Sequence, residues 1–127
     1  SPDNDNTHWD IIEGQGSLFH PSFPGVSLGL LHGSQPDAFV VCHEPTRTNM
    51  RGVDTPLPSI REVLDQTIQN GKLTNKQIQC IGIALNTSNC QSEASDHKDR
   101  LSKEYDLPCL DPLQDNLDPF IRIIEKI

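Results

Sequence analysis

Short apolar runs and amphipathic stretches take turns along this chain, and the alternation predicts strands and helices in sequence. Residues 10 to 13, within Trp9-Asp10-Ile11-Ile12-Glu13, read as a strand that runs into the glycine-punctuated loop Gly14-Gln15-Gly16-Ser17. Residues 25 to 33 predict a short helix with Val26, Leu30 and Leu31 on one side. The continuous apolar run of residues 38 to 42 suits a strand buried on both faces. After a loop carrying Pro45, Pro56 and Pro58, Ser59 begins a helix with Glu62 three residues on, the spacing of a capping box. Ile60, Val63, Leu64 and Ile68 share its buried face, and Asn70-Gly71 ends it. Gln79 to Leu85 then gives a third strand, Ser92 to Tyr105 a charged amphipathic helix, Pro108 to Leu110 a short fourth strand, and Leu117 to Glu125 a last helix.

Strands that alternate with helices predict an α/β fold, three-layered, with a mainly parallel sheet joined by right-handed crossovers. Ligands of such sheets bind beyond the C-terminal strand ends. With 127 residues, 34% hydrophobic and 22% charged, the chain has material for one domain with a real core. Its formal net charge of −8 argues against a nucleic-acid groove or an anionic membrane surface, since both ask for clustered Lys and Arg. No apolar run approaches the ~20 residues of a membrane span, and the start shows no secretory pattern, so a soluble cytoplasmic protein is expected. Cys42, Cys80, Cys90 and Cys109 are too widely spaced for a Cys-x-x-Cys metal site, and Cys42 and Cys80 read as small core residues. The polar opening Ser1 to Asn6 begins abruptly, as in the middle of a longer protein.

Candidate chemistry collects where the strands end. The first strand delivers Glu13, Gly14, Gln15, Gly16 and Ser17; the second, His43, Glu44, Pro45, Thr46 and Arg47; the third, Asn86, Thr87 and Ser88. A parallel sheet puts all three sets on one edge: a carboxylate for a proton or Mg²⁺, imidazoles, a fixed cation for an anion, and an amide. Each also has a purely structural reading. Glu13 can accept backbone N–H bonds in its own turn, and His20 can be satisfied by carbonyls in its loop. Arg47 can pair with Glu44, and Asn86 to Asn89 can form a turn and a helix cap. His8, His97 and the charges of residues 93 to 104 read as solvated, and His32 as structural.

Three blocks carry a family resemblance. His8-Trp9-Asp10 through Gly14-Gln15-Gly16-Ser17-Leu18-Phe19-His20-Pro21, then Leu30-Leu31-His32-Gly33-Ser34-Gln35-Pro36-Asp37-Ala38, then Cys42-His43-Glu44-Pro45-Thr46-Arg47, closely resemble the C-terminal P-loop domain of the D-glutamate N-acetyltransferase (DgcN-like) family. The likeness covers nearly the whole chain. It implies a longer protein with an N-terminal Rossmann-like domain and a phosphate loop, both absent from this chain, and acetyl transfer from acetyl-CoA to D-glutamate. A phosphate loop is indeed not legible here: the only Gly-Lys pair, Gly71-Lys72, has Gln66 where the first glycine belongs and is followed by Leu73. A more distant likeness is to dethiobiotin synthetase, where a strand also ends in Glu-Gly-x-Gly, resembled by Glu13 to Gly16, with the glutamate serving the metal and phosphate region. That likeness brings Mg²⁺ into consideration, and places Asn86 near a base.

Acetyl transfer needs a base for the amine and donors for the oxyanion of the tetrahedral intermediate. By residue type and inferred position, Glu13, His20 and His43 are the catalytic candidates. Gly14, Gln15, Gly16, Ser17, Glu44, Arg47, Arg51, Asn86 and Thr87 are the substrate-binding ones, with Arg47 or Arg51 holding a carboxylate. No metal ligand set is assigned. The partners expected are acetyl-CoA, D-glutamate, the remainder of the longer protein, and a second copy of the chain, because an exposed sheet edge invites association. Two rivals stand beside this reading: a Mg²⁺-dependent P-loop ATPase or amide-forming synthetase, and a fragment that is inert alone.

Overall fold

The apolar run that ends at Leu85 becomes the middle strand of a three-stranded parallel sheet. In a computed structural model that describes residues 8–14 and 16–127, β1 (Ala38–His43) and β3 (Cys109–Leu110) flank β2 (Gln79–Leu85). Val41 lies opposite Ile83 and His43 opposite Leu85 across one ladder, and Ile83 lies opposite Cys109 across the other. Among the described residues four helices precede, connect and follow these strands: α1 (Pro24–Ser34), α2 (Ile60–Gly71), α3 (Ala94–Tyr105), entered through a 3₁₀ turn at Gln91–Glu93, and α4 (Asp118–Ile124). The fold is therefore α/β with a parallel sheet, as the alternation predicted.

Successive side chains of β2 point to opposite faces. Ile83 and Leu85 pack into the core with Ile60 and Leu64 of α2, Leu101 of α3, Val41 and Cys109. Each such aliphatic burial contributes roughly 1.5–3 kcal/mol. On the other face Gly82 leaves its Cα bare, and Phe120 of α4 lies against it: a Cβ there would overlap the Phe120 ring. Helices thus cover both faces, which makes the three layers. The capping box at the start of α2 forms as its spacing predicted. Glu62 N–H donates to Ser59 Oγ at 3.2 Å, and Ser59 N–H donates to Glu62 Oε2 at 2.8 Å. At the N-terminal edge of the sheet, Asn75 Nδ2 donates to Gln35 O, Pro36 O and Asp37 Oδ1, tying the turn before β1 to the turn before β2.

Three expectations are corrected. Residues 10 to 13 are not a strand: they carry no assigned secondary structure and are exposed, Ile11 to 93%. Two isoleucines cannot hold a strand without a lateral hydrogen-bonding partner. The second run is a strand, but β1 is an edge, and only Val41 is fully buried while Cys42 is exposed, so Cys42 is not a core residue. In α1 the buried residue is Ser27, whose hydroxyl donates to Gly16 O at 2.9 Å, while Val26 faces outward. This helix docks on α2 rather than on the sheet, with His32 Nε2 at 3.1 Å from Asn70 O. All four cysteines are free thiols. Among the described residues no helix is long and apolar enough to cross a membrane.

The close approach at Gly82 generates a stability prediction. Gly82→Ala lowers unfolding stability by about 1–3 kcal/mol through overpacking against Phe120. Adding Phe120→Leu to it should restore part of the loss. Urea denaturation of the three variants measures both effects, and an unchanged midpoint for Gly82→Ala alone would show that α4 yields freely.

Candidate functional site

Parallel strands leave the sheet over the same edge, and the residues that follow them converge there. A cleft of about 400 Å³ opens at that edge. His43, Glu44 and Arg47 line it from the end of β1, Asn86 from the end of β2, and Asp111, Pro112 and Leu113 from the end of β3. Asn86 N–H donates to His43 O at 2.9 Å, which extends the ladder by one bond and fixes the two strand ends side by side.

The charges in the cleft are already arranged. Arg47 Nη2 sits 2.5 Å from Glu44 Oε2, and Glu44 Oε1 accepts from Asn89 Nδ2 at 3.1 Å. Asn86 Oδ1 accepts from both the N–H and the hydroxyl of Ser88, at 3.1 and 2.7 Å, closing a tight turn. The His43 imidazole is different in kind. Burial lowers its pKa below the ordinary histidine value, and the neighbouring His97 and Arg100 disfavour its protonated form further, against the opposing pull of Glu44. It is therefore a neutral ring near pH 7, able to take a proton.

Behind the cleft lies a buried polar clasp. Thr87 and Asp111 are 1% and 3% exposed. The Thr87 hydroxyl and N–H both donate to Asp111 Oδ2, and Leu113 N–H donates to Oδ1 at 2.9 Å. Asp111 N–H in turn donates to Asp115 Oδ2 at 2.8 Å, and Lys98 Nζ of α3 pairs with Asp115 at 2.7 Å. The Thr87 hydroxyl holds the Asp111 carboxyl below the usual carboxylate range, as the Lys98 ammonium does for Asp115. Desolvation opposes both shifts and is outweighed. The clasp joins the loops after β2 and β3, so it sets the width of the cleft.

With this geometry in place, the comparisons with known proteins can be read. Residues 1–121 match the family described as a domain of unknown function, the DUF1611 C-terminal P-loop domain. The chain belongs to this family. A DUF1611 family protein from Anabaena variabilis, known from its crystal structure, has the same fold with a TM-score of 0.81 at 28% identity, over 91% of this chain and 34% of that one. Two curated relatives are named D-glutamate N-acetyltransferase. One, from a Pseudoalteromonas species, is 54% identical over 95% of this chain, and one from Tritonibacter scottomollicae is 46% identical over 88%. The chain spans about a third of the length of these relatives, 37% and 34%. The family read from the three sequence blocks is thus the one the comparisons give.

Within this DUF1611 P-loop domain the sequence-selected residues divide into two groups. His43, Glu44, Arg47 and Asn86 meet at the cleft, and Thr87 lies directly beneath it. Glu13, Gly14, Gly16, Ser17, His20 and Arg51 do not line it. Glu13 and Gly14 are exposed on the extended N-terminal segment. Ser17 is occupied locally: its Oγ accepts from Phe19 N–H and its carbonyl from His20 N–H. The His20 ring accepts from Ser22 N–H at Nδ1 and lies 3.1 Å from Arg51 O at Nε2, so it pins its loop to the excursion after β1. Arg51 itself is exposed beside Gly52, whose positive φ of 77° makes the turn there. Gln15 lies outside the described residues. No group of three or more His, Cys, Asp or Glu side chains among the described residues is placed to hold a metal ion.

Asp111 escaped the sequence reading. The signal was present, since an acidic residue follows the fourth predicted strand directly, and the rule applied to the first three strand ends selects it. His97 was read as solvated, yet it is 22% exposed and its Nδ1 accepts from Arg100 Nη2 at 3.1 Å. α3 packs against the sheet end, so its charged face is partly turned toward His43.

The clasp predicts an acid sensitivity. Asp111 and Asp115 have depressed pKa values in the folded protein, so their stabilisation is complete above the unfolded value of about 3.9 and is lost as pH falls through the lower folded values. Urea midpoints should therefore drop on acidification below about pH 4. Thr87→Val should cost about 1–3 kcal/mol at pH 7, because it strips a donor from a buried carboxylate. The same variant should show a shallower acid slope; an unchanged slope would separate Asp111 from the acid transition.

Proposed function

We propose that this domain is part of an N-acetyltransferase that moves the acetyl group of acetyl-CoA onto the amine of D-glutamate. The observation that carries the proposal is the identity of 54% and 46% to two relatives named D-glutamate N-acetyltransferase, over nearly the whole chain. The cleft supports it, because a neutral imidazole at a strand end is what amine activation asks for. In this reading the amine nitrogen attacks the thioester carbonyl as His43 accepts its proton. The C–N bond forms, the tetrahedral oxyanion collapses, the C–S bond breaks, and the thiolate of coenzyme A leaves and takes up a proton. Asn86 and the backbone after β2 lie close to this centre and orient substrate. Glu44 holds Arg47 toward the cleft, where its guanidinium meets a substrate carboxylate once that pairing is exchanged. Glu13 and His20 remain alternative bases in a protein of the relatives' full length.

The P-loop description of the family favours one second reading, a Mg²⁺-dependent ATPase or amide-forming synthetase, with Glu13 serving the metal. The two are separated by one assay on a protein of the relatives' full length that carries this domain. Acetyl-CoA and a panel of D- and L-amino acids are supplied with and without ATP and Mg²⁺, and products are identified by mass spectrometry. N-acetyl-D-glutamate formed without ATP supports acetyl transfer; product that requires ATP and not acetyl-CoA replaces it.

The role of the imidazole gives a kinetic prediction. His43→Gln should lower kcat by about 10²–10⁴-fold, the range for loss of a general base, with KM for D-glutamate little changed. Undiminished kcat would move the base elsewhere, to be sought at Glu13 or His20.

A further inference from the structure

The cations of the cleft and of the helices α2 and α3 are not equivalent. Arg47 is paired with Glu44 at 2.5 Å and Lys98 with Asp115 at 2.7 Å. Arg61 lies over the Tyr105 ring at 4.8 Å. Arg100 forms no ion pair among the described residues, and its hydrogen bond goes instead to a neutral acceptor, His97 Nδ1. That bond leaves the His97 proton on Nε2, where Glu93 stands 3.7 Å away, loosely held and 70% exposed. His43 closes the group from the sheet side, since it shares the face of β1 that carries Val41 toward the helices. In a chain of net charge −8, the Arg100 guanidinium, without an ion pair among the described residues, is thus bonded to one imidazole and acts electrostatically on a second, His43.

We propose that Arg100 and His97 of α3, with the ring of His43, form a subsite for an oxyanion, a carboxylate or phosphate group, on the α3 side of the cleft. Arg100 would donate its remaining N–H groups to the anion, and His97 Nε2–H would exchange Glu93 for it. Binding needs only displacement of an exposed carboxylate, whereas the Arg47 pair must be broken outright. Naming the source of the oxyanion rests on the acetyltransferase reading: it is a carboxylate of D-glutamate or a phosphate of coenzyme A. The groups that face His43 are His97 and Arg100 on α3 and Glu44 beyond β1, with Arg47 and Asp111 across the cleft. An added anion favours the protonated ring, so it should raise the apparent pKa of His43.

The test is a histidine-ring NMR titration of the 127-residue chain with inorganic phosphate, D-glutamate and coenzyme A, each at matched ionic strength. His43→Gln and His97→Gln assign the signals. The subsite requires saturable ring shifts at His43 and His97 and a raised pKa at His43, with the His8 and His32 signals unmoved. Arg100→Gln should weaken that binding by about tenfold or more, the weight of a charge-assisted contact, while Arg122→Gln on α4 leaves it intact. Amide spectra establish that each variant is folded. Response to D-glutamate alone identifies a carboxylate subsite, and response to phosphate and coenzyme A a phosphate one. Absence of saturable shifts with all three, or equal binding by Arg100→Gln, overturns the subsite. Anion binding by a protein that transfers no acetyl group would instead remove the acetyltransferase reading and leave the subsite standing.

Discussion

Because β2 hydrogen-bonds in parallel to β1 on one side and to β3 on the other, the chain leaves all three strands over the same edge of the sheet. Every polar feature of the site follows from that shared direction. It sets His43, Asn86 and Asp111 side by side although they are far apart in sequence. The direction is stable because β2 is sealed on both faces, by Ile83 and Leu85 against α2 and α3 and by the bare Cα of Gly82 against Phe120. A parallel sheet is stable only when both faces are covered in this way.

Burying the Asp111 carboxylate would be costly if it were unpartnered, and here it accepts from Thr87 twice and from Leu113. No buried side-chain polar atom among the described residues lacks a partner. The clasp thus turns a desolvated charge into a fixed spacing between two loops, and through Asp115 and Lys98 it anchors α3 to the same frame. Position of α3 then adds to the effect of burial on His43, because His97 and Arg100 ride on that helix. One buried carboxylate links the shape of the cleft to the protonation of its central ring.

The domain is acidic, and the cations at its cleft edge are largely paired, Arg47 with Glu44 and Lys98 with Asp115. Such pairing keeps arginine and lysine side chains in fixed places before any ligand arrives, at small cost to stability near the surface. The exposed apolar side chains of Trp9, Ile11, Ile12, Phe23 and Val26 belong to the segment that carries Glu13 and to the start of α1, away from this cleft. The cleft edge is thus polar and ordered by hydrogen bonds, whereas the N-terminal segment leaves Trp9, Ile11 and Ile12 exposed.

The sequence by itself determined the elements whose stabilising interactions are local or strongly periodic. The Ser59 and Glu62 box, the end of α2 near Gly71, the bounds of β2 and the family blocks were all legible, since each rests on neighbours within one element. That His43, Glu44, Arg47 and Asn86 share one edge was also legible, because parallel alternation alone places strand ends together. Tertiary structure decided the rest. Ile11 and Ile12 read as a strand, but a strand is made by its partner, and no described backbone pairs with them. His97 and Arg100 read as solvated because helical periodicity marks a polar face without saying what stands opposite it. Asp111 drew no attention because the value of a buried carboxylate lies in donors that come from another loop, and only the packed molecule brings Thr87 to it.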